Sequence, residues 1–327
     1  TAERAGKAIA VVKRRQEEGD LGSSDDTDNG SPAEPARKSQ RLTGRSHAAS
    51  EPNAEQMRAI VDYCEKAQTP FRTLPKVQDI LDGSASSADL RSVELDDLLG
   101  RDPVSLDWES MGQMIKNGRV LITGGAGSIG SELCRQVARL EPEEVILFEQ
   151  NEFSLYSLAM ELEEQFPNVR FRRLLGDVCD PEAVRFVFSQ YRPQVVFHAA
   201  AYKHVPMLQA QVRETIRNNT VGTMVTARAA VESGVQKFIL ISTDKAVNPT
   251  SMMGVSKRIA EMVSQLNNAR STTAFITVRF GNVLGSAGSV VPLFERQIRG
   301  GGPVTVTDPM MTRYFMTVSE ACQLILQ

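Results

Sequence analysis

The 327-residue chain has only four cysteines and three histidines. Cys64, Cys134, Cys179 and Cys322 are too scattered for any metal-binding spacing and read as reduced thiols, the cytosolic state of cysteine. His47, His198 and His204 add no ligand set, so no metal is expected. No run approaches the ~20 apolar residues that a membrane-spanning helix requires. A formal net charge of -3 lacks the positive excess of a general nucleic-acid binder, so no nucleic-acid partner is expected. The hydrophobic share of 41% and charged share of 24% suit a soluble protein with a substantial core. The chain opens at Thr1 with neither methionine nor signal peptide. It stops at Gln327 inside an amphipathic pattern (Val318, Cys322, Leu324, Ile325). It is therefore expected to be a soluble, cytoplasmic fragment whose membrane contact, if any, lies in segments beyond it.

Composition divides the chain. Residues 1–18 read as the remnant of a preceding segment, with a short strand or helix around Ala8–Val12. Residues 19–52 are Ser, Asp, Gly, Pro, Lys and Arg with almost no large apolar side chain. Such a stretch buries too little surface to offset its ordering entropy and is expected to be a disordered linker. Its basic cluster (Arg37, Lys38, Arg41, Arg45) reads as solvated rather than lipid-bound. Residues 53–83 read as the tail of an upstream α/β domain. Asn53 is a candidate N-cap, Met57, Ile60, Val61 and Cys64 fall at helical spacing, and an extended piece (Phe71–Leu74) and a brief helix (Val77–Leu81) follow. Residues 84–117 are a connector.

From residue 118 to 327 the pattern is regular. Apolar, β-rich runs at Val120–Thr123, Val145–Phe148, Val169–Leu174, Val195–Ala199, Phe238–Ser242 and Phe275–Phe280 alternate with helical stretches. Runs apolar throughout, separated by helices, imply a parallel sheet covered on both faces. The fold class is α/β, a doubly wound sheet of the Rossmann type.

The first of these runs leads into Gly124-Gly125-Ala126-Gly127-Ser128-Ile129-Gly130 and then a helix. Between a first strand and a first helix, this spacing is a dinucleotide-binding signature. Gly124 permits the turn, Gly127 lets backbone N–H groups near Ser128 and Ile129 approach a pyrophosphate, and Gly130 permits close packing of helix on strand. Glu149, closing the second run, is placed to accept hydrogen bonds from ribose hydroxyls and would repel a 2′-phosphate, which favours NAD over NADP. Asp177-Val178 follows the third run, where the Asp meets an adenine amino group or, alternatively, caps the helix beginning near Pro181. Ala199, Ala200 and Ala201 follow the fourth, small enough for a cofactor to lie against the backbone.

The stretch FILISTDKAVNPTSMMGVSK (Phe238–Lys257) carries the candidate chemistry. Together with TGGAGSIG, HAAAYKHVP, NNTVGT, RFGNVLGSAGSVVP and TRYFMT, in order and at compatible spacings, it resembles the polysaccharide-biosynthesis branch of the extended short-chain dehydrogenases. These are nucleotide-sugar 4,6-dehydratases acting on UDP-N-acetylglucosamine. The likeness runs from about Met57 to Gln327, and the connector resembles the long, membrane-anchored form. The C-terminal substrate-binding part of the family is largely missing from this sequence.

The resemblance implies that NAD takes a hydride from C4 of the sugar, that water is lost across C5 and C6, and that the hydride returns to C6. It assigns Asp244 as the acid for O6 and Lys245 as the base for C5, which calls for burial that neutralises both. Lys257 is implied at the nicotinamide ribose. Met253 stands where related enzymes have tyrosine. A thioether cannot exchange a proton, so Thr243, a water or Asp244 must serve O4. Methionine at this position resembles the configuration-retaining enzymes. Ser242 and Asn219 are assigned to the cofactor side, Asn219 chiefly as an organiser of the backbone. Lys203, Asn282 and Arg313 are assigned to the substrate, the last two near its diphosphate. A homo-oligomer is expected. A UDP-sugar 4-epimerase and a catalytically silent NAD-binding regulator are the alternatives.

Overall fold

A computed structural model describes residues 10–11, 54–67, 72–73, 112 and 115–327, without 287 and 307. They fall in two units. In the smaller, Ala54–Lys66 is a helix on which Met57, Val61 and Cys64 are half-buried. Ile60, expected on the same face, is exposed. The expected linker, the helix at Val77–Leu81 and nearly all of the connector lie outside the described residues.

The larger unit is built on a six-stranded parallel sheet: β1 (Arg119–Thr123), β2 (Glu144–Glu149), β3 (Arg170–Leu175), β4 (Val195–His198), β5 (Lys237–Thr243) and β6 (Ala274–Phe280). Their spatial order is β3-β2-β1-β4-β5-β6. Each lies within two residues of its expected run. The connecting helices are α1 (Ser128–Ala138), α2 (Glu152–Gln165), α3 (Pro181–Tyr191), α4 (Val205–Ala210), α5 (Val212–Ile216), α6 (Gly222–Glu232) and α7 (Met252–Arg270). A π-helical turn, Arg217–Val221, joins α5 to α6. After β6 come β7 (Asn282–Val283), α8 (Val290–Arg299), β8 (Tyr314–Met316) and α9 (Val318–Leu326). β7 pairs with β8, and Ala10–Val11 pairs antiparallel with β8.

Side-chain alternation along the strands sorts the core into two layers. Val120, Ile122, Val145 and Leu147 pack with Leu133, Leu155, Leu162 and Ile325 of α1, α2 and α9. Leu121, Ile146, Val196 and Phe238 pack with Val184, Phe188, Ala227 and Ala260 of α3, α6 and α7. Both faces are therefore apolar, which is why the strands read as continuous apolar runs. The edge strand β3 instead carries Arg170, Arg172 and Arg173 outward, and charge of this kind discourages pairing with another edge. The amphipathic pattern ending the chain is α9, opened by a capping box between Thr317 and Glu320. No helix among the described residues is long and apolar enough to cross a membrane.

Candidate active site

The sheet order reverses at β1, which has β2 on one side and β4 on the other. In a doubly wound sheet the crevice beyond such a point accepts a ligand. The glycine loop forms its floor. Gly124 has φ 64°, and a Cβ on it would lie 2.7 Å from the Ala200 backbone. A Cβ on Gly130 would overlap the Gly124 carbonyl oxygen. Gly127 starts α1 in extended conformation, and no side chain caps the helix there. The first-turn amides of such a helix favour an anion. A cavity of about 260 Å³ opens above, lined among others by Gly124, Gly127, Glu149, Val178, Ala199, Ala200 and Ala201.

Glu149 ties this loop to the end of β2. One carboxylate oxygen accepts from Gln150 and Asn151 N–H, both at 3.0 Å, and the other from Ala126 N–H at 3.3 Å. A carboxylate offers about four acceptor positions, so capacity for a ribose hydroxyl remains. Asp177 does not cap α3. Its carboxylate accepts from Cys179 N–H and from the Arg217 guanidinium, each at 2.8 Å. Partial burial opposes its charge, but these bonds outweigh it and hold the carboxyl below the usual carboxylate range. Gly176 and Val178 line the cavity instead. The cap of α3 is Asp180, whose side chain accepts from Glu182 and Ala183 N–H.

On α7, Lys257 is 4% exposed. Its Nζ makes no hydrogen bond to any described residue, and burial drives its titration down to about 8, against the pull of Glu261. His198, fully buried, sits between Thr123 Oγ1 at 2.8 Å and Thr223 Oγ1 at 3.1 Å. Burial and the nearby Lys257 push it down to about 3, so it is neutral. Asn219 is turned inward by the π-helical turn. Its amide donates to Tyr202 O and Ser256 Oγ, and its oxygen accepts from Tyr202 N–H. That exchange fixes the loop after β4 against α7.

At the end of β5, Thr243 Oγ1–H donates to Asp244 Oδ1 at 2.8 Å, and Lys245 Nζ donates to the same oxygen at 3.0 Å. Asp244 and Lys245 open a single 3₁₀ turn (Asp244–Ala246), which brings adjacent side chains together as a continued strand would not. The turn rests on Gly254, where a Cβ would overlap the Lys245 carbonyl oxygen. The burial expected of this pair is not present: the Asp244 and Lys245 side chains are 42% and 32% exposed and form an ion pair.

Three further assigned residues have partners within the protein. Asn282, assigned to the diphosphate, accepts from Lys245 Nζ at 2.8 Å through its side-chain oxygen. Ser242 turns away from the cleft, and its hydroxyl donates to the buried Glu261 at 2.6 Å. Arg313 is exposed, with its guanidinium on Thr312 O. Met253 is buried at the start of α7, and Lys203 is exposed on the loop after β4. Among the described residues no three His, Cys, Asp or Glu side chains converge as a metal site. Sequence reasoning does not reach Glu261, the setting of His198 or the Asn282–Lys245 bond. For the first of these, the spacing of Glu261 four residues after Lys257 is a signal; the other two have none.

A doubly wound sheet, a glycine-rich loop at its switch point and a Thr-Asp-Lys turn packed against the helix that carries a buried lysine define a nucleotide-binding enzyme scaffold. Within that class, the chain belongs to the family described as polysaccharide biosynthesis protein, whose model matches residues 120–327. It is 50% identical over 275 residues to the capsular polysaccharide biosynthesis protein CapD of Staphylococcus aureus, covering 84% of this chain and 46% of that protein. It is 33% identical over 218 residues to the UDP-N-acetylglucosamine 4,6-dehydratase (inverting) of Campylobacter jejuni, covering 65% and 64%. The chain thus spans about half the length of the CapD protein and of the similarly matched Bacillus subtilis EpsC. Among solved structures it resembles Pen from Bacillus thuringiensis, with TM-score 0.61, 35% identity, and 65% and 67% of the two chains covered. It also resembles the Thermus thermophilus UDP-glucose 4-epimerase complex with NAD, with TM-score 0.55, 25% identity, and 63% and 72% covered.

Proposed function

We propose that this chain carries the catalytic domain of an NAD-dependent dehydratase that converts UDP-N-acetylglucosamine to its 4-keto-6-deoxy form, for the building of a surface polysaccharide. The observation that carries this reading is the chain Thr243 Oγ1–Asp244 Oδ1–Lys245 Nζ, at 2.8 and 3.0 Å. A simple oxidation at C4 needs one proton acceptor. Elimination across C5 and C6 needs an acid and a base side by side.

The residues present fit NAD. The uncapped α1 terminus and the close-packed Gly124 suit a pyrophosphate, and the buried Lys257 Nζ, without a partner among the described residues, suits a ribose hydroxyl. When bound, NAD supplies the acceptor for the C4 hydride and its return to C6. Lys257, as a cation, favours negative charge on the ring oxygens it faces. Thr243 takes the O4 proton that Met253 cannot, and passes it to Asp244 through their hydrogen bond. Asp244, now an acid, gives that proton to O6 as the C6–O bond breaks and water leaves. Neutralising Asp244 removes the anion that favours the Lys245 ammonium, so Lys245 can shed its proton and act as base at C5. Lys245 returns a proton to C5 on the same face as hydride reaches C6, and the C5 configuration is retained. The protons balance: that of O4 leaves in the water, and that of C5 exchanges with solvent.

UDP-sugar 4-epimerisation is the second reading, supported by the fold shared with the Thermus enzyme. Incubation with UDP-N-acetylglucosamine in D₂O, followed by NMR, tests both. A 4-keto-6-deoxy sugar with deuterium at C5 and unchanged configuration is expected. UDP-N-acetylgalactosamine would identify an epimerase, and unchanged sugar with bound NAD a silent regulator.

A further inference from the structure

Glu261 is 1% exposed, an unusual place for a carboxylate. It accepts from three donors on three elements: the Ser242 hydroxyl at 2.6 Å on β5, the Arg279 guanidinium through both oxygens on β6, and Arg258 at 3.1 Å on its own helix. Ser242 is the residue before Thr243, so the bond fastens β5 just before the Thr-Asp-Lys turn begins. Lys257 lies one helical turn before Glu261 on α7. Burial opposes the charge on Glu261, but its three donors prevail and keep the carboxylate ionised.

We propose that Glu261 is a positioning residue for the reaction: it clamps the catalytic end of β5 to α7 and supplies a buried negative charge one helical turn from Lys257. The groups around Lys257 support this. His198 on β4 is neutral and adds no anion. Asp244 and Lys245, on the turn packed against the same helix, are paired with each other. Among the described residues, Glu261 is the anion that pulls the titration of Lys257 upward, against burial. Arg258 and Arg279 take up part of its charge, yet both are partly exposed and shed field into solvent.

The catalytic half of this proposal rests on the dehydratase reading; the electrostatic half does not. The test therefore reads Lys257 directly, by the pH dependence of its acylation rate in competitive labelling and mass spectrometry, in the protein, in E261D, in E261Q and in the double variant E261Q/R279Q. The double variant leaves no Arg279 guanidinium facing a lost anion, and so covers the case in which E261Q does not fold. The Lys257 midpoint should fall by about one unit in the Gln variants and stay near that of the parent in E261D. The alkaline limb of the dehydration pH profile should shift down with it, and E261D should recover most of the parent kcat. An unmoved midpoint in both Gln variants would overturn the proposal. A parent protein that labels as expected but dehydrates no sugar would overturn the functional reading and leave the electrostatic pairing standing.

Discussion

Lys245 Nζ is shared between two oxygens, Asp244 Oδ1 at 3.0 Å and Asn282 Oδ1 at 2.8 Å. Asn282 comes from the strand after β6, so the candidate base is aimed by an element remote in sequence as well as by its neighbour. An amide oxygen accepts from the amine in either protonation state.

Asn282→Ala should therefore lower kcat by about tenfold, the effect of one hydrogen bond to a charged group, with KM little changed. Steady-state kinetics with UDP-N-acetylglucosamine separate the possibilities. A raised KM with intact kcat would instead place Asn282 at the diphosphate.

Gly254→Ala should cost both stability and activity. The added Cβ meets a backbone carbonyl, that of Lys245, and a backbone cannot rotate out of the way. A loss of about 2–3 kcal/mol in denaturant unfolding is expected, with kcat falling as the turn shifts. Parent-like values for both would show that the turn has slack.

Lys257→Met should abolish turnover yet raise stability by about 1–3 kcal/mol at pH 7, because an ammonium without a hydrogen-bond partner among the described residues is replaced by an apolar side chain of similar length. The sign follows from linkage. Lys257 titrates at about 8 when folded and at 10.5 when free, so the unfolded chain binds more protons between these values. The penalty is present below pH 8 and fades as pH rises to 10.5. The stability gap between variant and parent should narrow over that window; a constant gap would contradict the assignment.

His198 governs the acid side. Its folded value of about 3 lies below the free value of 6.5. The unfolded chain therefore takes up a proton that the folded one refuses, and stability falls as pH drops from 6.5 towards 3 by about 1.4 kcal/mol per unit. His198→Gln removes this loss, so any advantage of the parent in unfolding free energy at pH 7 should shrink across the acid range. A parent slope retained in the variant would assign the acid loss to carboxylates such as Glu261.

The sheet was legible because its strands are buried on both faces, which leaves long apolar runs punctuated by glycine, proline and helix signals. The glycine loop was legible for the same kind of reason, since Gly130 answers to backbone contacts a few residues away. The site was legible only as an inventory. Asp244 and Lys245 could be named, but their exposure is decided by what covers the turn. Asp177 and Asp180 both precede α3, and only the loop geometry shows that the latter caps it. The roles of Ser242 and Asn282 arise from contacts 19 and 37 residues apart, and no local pattern encodes them, while Glu261 is signalled only by its spacing from Lys257.

The π-helical turn at Arg217–Val221 has a consequence for the history of this chain. It interrupts helical structure that runs from Val212 to Glu232. A turn of this kind holds one residue more than an α-turn. Each residue advances a helix by about 100°, so losing any one of the other four would rotate Asn219 relative to α5 or to α6 and strain its hold on the loop it fastens. The length of this segment is then as constrained as its composition. Substitutions at the outward positions should be absorbed, while a single-codon deletion there should be as damaging as removing Asn219 itself.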